Sequence, residues 1–133
     1  MNNEEIMTGV ELEIILKAGK ILLSSGAEIS RTEDTMNYIA RAMNFKDLEA
    51  YVSNRGIFAT AKKADGTEIT RIYNVPEVDI NLSKIESVNA LSRRITQKNI
   101  TIEEIESELN QIDTMSDYSF FWRLVAYTLG ASG

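Results

Sequence analysis

The chain has 133 residues, 44% of them hydrophobic and 26% charged, a balance that suits one soluble globular domain with a core of its own. Its net charge of −6 argues against a nucleic-acid partner, whose phosphates want a basic surface, and less strongly against docking on anionic lipid through charge. There is no cysteine and no histidine, which excludes disulfides, thiolate nucleophiles, zinc–cysteine sites and the commonest general base; only carboxylate-held Mg²⁺, Ca²⁺ or Mn²⁺ stays open as a metal, and no cofactor is expected.

The start, Met1-Asn2-Asn3-Glu4-Glu5, is acidic and unlike a signal peptide, so residues 1–9 read as a polar tail on the cytoplasmic side. Residues 10–25 predict a helix. Leu12, Ile15, Leu16, Gly19, Leu22 and Leu23 recur on one side, and Glu13, Lys17, Lys20 and Ser24 form a polar stripe. Glu13 stands four residues before Lys17, the favourable order for an exposed pair. Gly26 ends this helix, because glycine takes the left-handed cap conformation at little cost. Ser30-Arg31-Thr32-Glu33 then reads as a capping box opening a helix over 31–43, with Met36, Ile39, Ala40 and Met43 inward and Asn44 as a left-handed cap. Glu28, Arg31, Glu33 and Asp34 therefore crowd within about one turn of a helix–helix corner.

The period next changes from that of a helix to that of a strand. Leu48, Ala50 and Val52 alternate with Glu49, Tyr51 and Ser53, and Ile57, Ala59 and Ala61 alternate with Phe58, Thr60 and Lys62. Gly56 is read as a turn residue with positive φ. Asp65-Gly66 signals a hairpin, residues 67–73 a third strand, and Pro76 its end. From Asn81 the pattern is helical again, with Leu82, Ile85, Val88, Leu91 and Ile95 as one stripe. Thr101-Ile102-Glu103-Glu104 is a capping box opening a short helix with Ile102, Ile105, Leu109 and Ile112 on one side. After a linker over 113–117, residues 118–129 are aromatic and apolar nearly all round, and too short to cross a bilayer; from the residues alone they read as a C-terminal core helix docking on the domain. No run of about 18 apolar residues occurs anywhere. The expected fold is α+β: two N-terminal helices, a three-stranded antiparallel meander, and two to three C-terminal helices.

Three constellations carry potential chemistry. Glu28, Glu33 and Asp34 supply carboxylates for an acid/base pair or a hard metal, and Arg31 a grip for an anion; equally, Glu33 caps, Arg31 pairs with a carboxylate, and the corner is simply solvated. Arg71 shares a strand face with Ile69 and Tyr73, where a lone charge is poorly solvated, so it is expected to pair with Glu28, Glu33 or Asp34. The alternative is an edge-strand arginine with its head in water. Asn89, Ser92 and Arg93 share one helical face.

The order and spacing of these groups carry a resemblance. Ser25-Gly26-Ala27-Glu28 with Arg31, Glu33, Asp34 and Thr35, then Gly56-Ile57-Phe58, Thr70-Arg71, Asp79 and Val88-Asn89-Ala90-Leu91-Ser92-Arg93, resemble the soluble N-terminal domain of the threonine/serine exporter family over roughly residues 10 to 130. The resemblance implies a cytoplasmic domain of an integral membrane protein. Residues 10–113 would form the soluble domain, and 114–133 would be an aromatic segment leading toward a transmembrane region not included in the chain. It implies a role in gating, substrate binding or assembly during export of threonine, serine or a related small carboxylate, in a homo-oligomer or with a second membrane subunit. Glu28, Arg31, Glu33, Asp34, Arg71, Asn89 and Arg93 are the substrate-binding candidates, with Asn89 and Arg93 facing the charged corner. Two rivals stand beside it: a hydrolase-like domain using the carboxylates, and a structural oligomerisation domain with the aromatic segment as its interface.

Overall fold

The structure is a computed structural model that describes residues 3–115. Its spine is helix α1 (Asn3–Ser24), against which three further helices and two strands of a sheet pack on different sides. Consecutive residues Ile14, Ile15 and Leu16 are all buried, as are Ile21, Leu22 and Leu23, so this helix is covered nearly all round rather than on one face. Only part of the polar stripe stays open, because the last helix packs over it and Lys17 donates to the Asn110 side chain. The helix also begins two turns before residue 10: Glu4 and Glu5 stand in its first turn, where negative charge suits the positive helix end.

The corner after α1 is built as expected around Gly26, whose φ is +100°. The Ala27 N–H reaches back to the Leu22 carbonyl at 2.9 Å and the Gly26 N–H to Leu23 at 3.1 Å, the paired bonds of a Schellman motif. Helix α2 (Ile29–Ala42) follows almost at once. Its N-cap is Glu28, not Ser30, and the Ser30–Glu33 capping box does not form. The Schellman turn uses up the chain only to Ala27, so Glu28 is already extended (φ −66°, ψ 148°) and Ser30 lies inside the first turn. Gly19 lets the two helices and the sheet approach closely: a Cβ there would sit 2.6 Å from Met36 Sδ and 3.0 Å from Ile57 Cδ1.

Asn44, at φ 65°, turns the chain into the meander β1 (Phe45–Val52), β2 (Gly56–Lys63) and β3 (Glu68–Asn74), antiparallel in the order β1-β2-β3. Ile57, Ala59 and Ala61 face inward as the alternation demands. On the outer face Tyr51, Phe58 and Ile72 lie in one row across all three strands and are exposed, with the Tyr51 and Phe58 rings 6.1 Å apart. Gly56 does not have positive φ. The Tyr73 carbonyl lies 3.2 Å from where its Cβ would be, so close approach of the neighbouring strand is what favours glycine. At the Asp65-Gly66 turn Gly66 has φ +95°, and the Asp65 carboxylate accepts the Thr67 N–H at 2.9 Å. That bond, and a second one with the Thr67 side chain, hold the Asp65 pKa below its ordinary value.

Residues 75–81 return to the helical side as an extended strap. The Asp79 N–H donates to the Ser24 carbonyl at 2.8 Å and the Asn81 N–H to Ser25 at 3.0 Å, which satisfies carbonyls at the end of α1. Helix α3 (Leu82–Thr96) is capped by the Asn81 side chain, which accepts the Lys84 N–H at 3.0 Å. Leu82 is exposed, contrary to its place in the apolar stripe; at the first helical position Ser83 turns inward instead. Helix α4 (Ile102–Asp113) opens with the expected Thr101–Glu104 capping box. The fold is thus α+β, with four helices and one three-stranded antiparallel sheet among the described residues. The expected fifth helical stretch at 118–129 lies outside them.

Candidate functional site

The corner after α1 and the facing wall of α3 enclose a cleft of about 570 Å³. Its floor is apolar, from Leu22 and Ala27. One wall is the first two turns of α2, where Glu28, Arg31, Asp34 and Thr35 follow at helical spacings of three and four and so stack along one side. The other wall is α3, with Ile85 and Asn89 one turn apart. The buried Thr32 hydroxyl donates to the Glu28 carbonyl at 3.0 Å and ties down the turn that carries the acids.

Among the described residues the charges of this cleft make no ion pair. Among the described residues the ion pairs are Lys63–Glu11 at 2.9 Å, Arg71–Glu13 at 3.3 Å and Arg94–Glu108 at 2.6 Å, none of them in the cleft. Glu28, Arg31 and Asp34 are exposed, so their charged ends are open to solvent at the cleft. The α2 N-terminus adds backbone N–H groups and the positive end of the helix dipole beside Arg31. The arrangement offers a cation flanked by two carboxylates, a hydroxyl and an amide over an apolar floor. Among the described residues no three carboxylates converge as a metal site.

Of the residues expected from sequence, Glu28, Arg31, Asp34 and Asn89 share this cleft, while Glu33, Arg71 and Arg93 do not line it. Glu33 is half-buried on α2, and Arg93 is exposed on α3 one turn beyond Asn89. Arg71 corrects the expectation most clearly. Its inward strand face meets α1 rather than the α1–α2 corner, and its partner is Glu13, not Glu28, Glu33 or Asp34. Glu13 in turn is not paired with Lys17: it accepts a hydrogen bond from the Tyr73 hydroxyl. Burial, and then that bond to Glu13, raise the Tyr73 pKa well above its ordinary value. These groups border a smaller cavity of about 200 Å³ between α1, β3 and α4. A groove of about 600 Å³ lies on the far side of α2, against β1, and shares Asp34 and Thr35 with the cleft. Thr35 was within reach of sequence reasoning, standing four residues after Arg31; Ile85 and Leu22 were legible only as core.

Neither a curated protein nor a solved structure matches the chain. Among the described residues no helix is long and apolar enough to cross a membrane. A family model, ThrE, described as "Putative threonine/serine exporter", matches residues 13–133 and so takes in both walls of the cleft. That match spans far more than half of the sequence, and the chain belongs to the threonine/serine exporter family.

Proposed function

We propose that this chain is the cytosolic domain of a membrane exporter of threonine, serine or a related small carboxylate, and that the α2–α3 cleft holds the exported molecule before its passage. The observation that carries the reading is Arg31 standing between Glu28 and Asp34 with no ion-pair partner among the described residues. An amino acid carries a carboxylate and an ammonium on one carbon. The guanidinium fork of Arg31 suits the carboxylate, helped by the α2 N-terminus. Glu28 and Asp34 suit the ammonium, and Thr35 and Asn89 are neutral partners for a side-chain hydroxyl. The domain itself conducts nothing; by holding substrate more tightly in one arrangement than another, it biases the membrane part to which it is joined.

Calorimetric titration with L-threonine tests this. Saturable binding is expected, weakened by about tenfold or more in Arg31→Gln and in Asp34→Asn, since each loses a charge-assisted contact. Both side chains are exposed, so the variants should melt as the parent does. Threonine amide, which lacks the carboxylate, and N-acetylthreonine, which lacks the ammonium, should both bind poorly. Equal binding by parent and Arg31→Gln, or no binding of threonine, serine or any small carboxylate at about 10 mM, would remove the reading.

A further inference from the structure

The sheet ends on two edges, and they differ. The Ser53 N–H donates to the Gly56 carbonyl at 2.9 Å, so in the register Tyr51↔Phe58 and Glu49↔Thr60 the backbone groups of Tyr51 and Glu49 turn toward β2. Leu48, Ala50 and Val52 therefore turn their N–H and C=O groups outward. Among the described residues no turn, loop or side-chain hydrogen bond reaches them. On β3 the same alternation runs from the Lys63 N–H on the Thr67 carbonyl, at 2.8 Å, and leaves Thr70 and Ile72 outward. That edge is blunted, because the Arg71 guanidinium donates to the Thr70 carbonyl at 3.0 Å. β1 has a comparable device only at its start, where the ladder is irregular between Phe45 and Asp47, and Lys46 and Asp47 are exposed. Helix α2 lies beside β1 without roofing it, since the groove of about 600 Å³ runs between them.

An open edge of this kind accepts a further strand. The side chains of 48–52 say which. Where β1 meets a second β1 antiparallel about a two-fold axis at Ala50, Leu48 of each copy stands opposite Val52 of the other, and Glu49 opposite Tyr51. The outward groups of Leu48, Ala50 and Val52 then all find partners. On the half-buried helical side apolar meets apolar, and on the outer face the exposed Tyr51 phenol meets a carboxylate. An axis at Leu48 sets Glu49 against Asp47, and an axis at Glu49 sets it against its own copy, so both oppose like charges. An axis at Tyr51 runs Leu48 against Asn54, beyond the end of the strand.

We propose that the 48–52 edge of β1 pairs with the same edge of a second copy about a two-fold axis at Ala50, joining two three-stranded meanders into one continuous antiparallel sheet. Neither the cleft nor an exported molecule takes part in this contact, and its test adds no ligand. Sedimentation of the full chain should show a monomer–dimer equilibrium. Ala50→Pro removes an N–H that β2 does not use, so it should keep the fold, seen as a thermal melt, and weaken the dimer about tenfold or more. Ile72→Pro, the matching position on the β3 edge, should leave the dimer as it is. Tyr51→Glu sets two carboxylates opposite each other, twice in each dimer, and should weaken it about fivefold. Adding Glu49→Lys turns both into opposite-charge pairs and should restore it. Glu49 and Tyr51 are exposed, so this charge exchange decides the matter even where a proline disturbs the strand. A monomer at every concentration up to about 1 mM, or a dimer unmoved by Ala50→Pro in a folded variant or by Tyr51→Glu, would overturn the proposal. So would an equal loss in Ile72→Pro, which would take the contact off this edge. A loss in Tyr51→Glu that Glu49→Lys does not recover would likewise overturn it, and would give the contact to the apolar row of Tyr51, Phe58 and Ile72.

Discussion

Tyr73 shows how one side chain can be read for its protons. Its ordinary pKa is 10.0, and in the fold burial and the bond to Glu13 push it higher. The folded chain therefore keeps a proton that the unfolded chain releases as pH rises through about 10. The stabilisation from this group is complete below that pH and falls away above it. Phenolate absorbance followed through alkaline titration should show one of the five tyrosines ionising late, and Tyr73→Phe should delete that late step. A single transition shared by all would put the Tyr73 hydroxyl in water. Sequence placed Tyr73 and Arg71 on one strand face correctly, since a strand's two faces follow from alternation alone. It could not name Glu13 as their partner. Which helix crosses β3 is decided by packing between segments far apart in the chain, and no local pattern encodes it.

At the scale of the element, α2 begins on a cap that wastes its position. Glu28 makes no side-chain cap bond, whereas α4 starts on a complete capping box from Thr101 and Glu104. Serine is among the preferred residues at such a site, so Glu28→Ser should raise stability by about 1 kcal/mol. The same change should weaken threonine binding, the pattern expected where a residue is kept for function at the expense of stability. Urea unfolding with an unchanged m-value is the check; a loss of stability would give Glu28 a structural task instead. The meander was legible because alternation and the Asp65-Gly66 turn are local signals. The start of α2 was not, because Ser30-x-x-Glu33 spells a capping box that the Schellman turn at Gly26 pre-empts. Leu82 misled for a related reason: the first residue of a helix need not follow the stripe that its later turns obey.

Across the whole molecule, two ion pairs join the sheet to α1, and their exposure sets their worth. Lys63 pairs with Glu11, donates to the Met43 carbonyl at 2.7 Å and lies 4.5 Å over the Phe45 ring, with the two charged side chains only 18% and 13% exposed. Arg71 and Glu13 are 44% and 42% exposed. Lys63→Ala strands a carboxylate and a carbonyl out of water and should cost about 3 kcal/mol. Arg71→Ala should cost less than about 1 kcal/mol. Equal losses in chemical denaturation would mean that burial does not rank them. The cleft was half legible at this scale. Sequence could list the charged corner of α2, but only the packing of α3 against it selects Asn89 and leaves Arg93 outside.

Asn81 is bonded in three directions: its backbone N–H to Ser25, its side-chain carbonyl to the Lys84 N–H, and its side-chain amide to the Met115 carbonyl. Mechanically this makes one residue the junction of the domain. A pull at Met115 enters the domain along the backbone of α4, and through the Asn81 amide it has a second route, by two hydrogen bonds, into the turn after α1. That turn carries Gly26, and two residues later Glu28. A displacement at Met115 is therefore coupled to the wall of the cleft by a path of hydrogen bonds that runs outside the sheet.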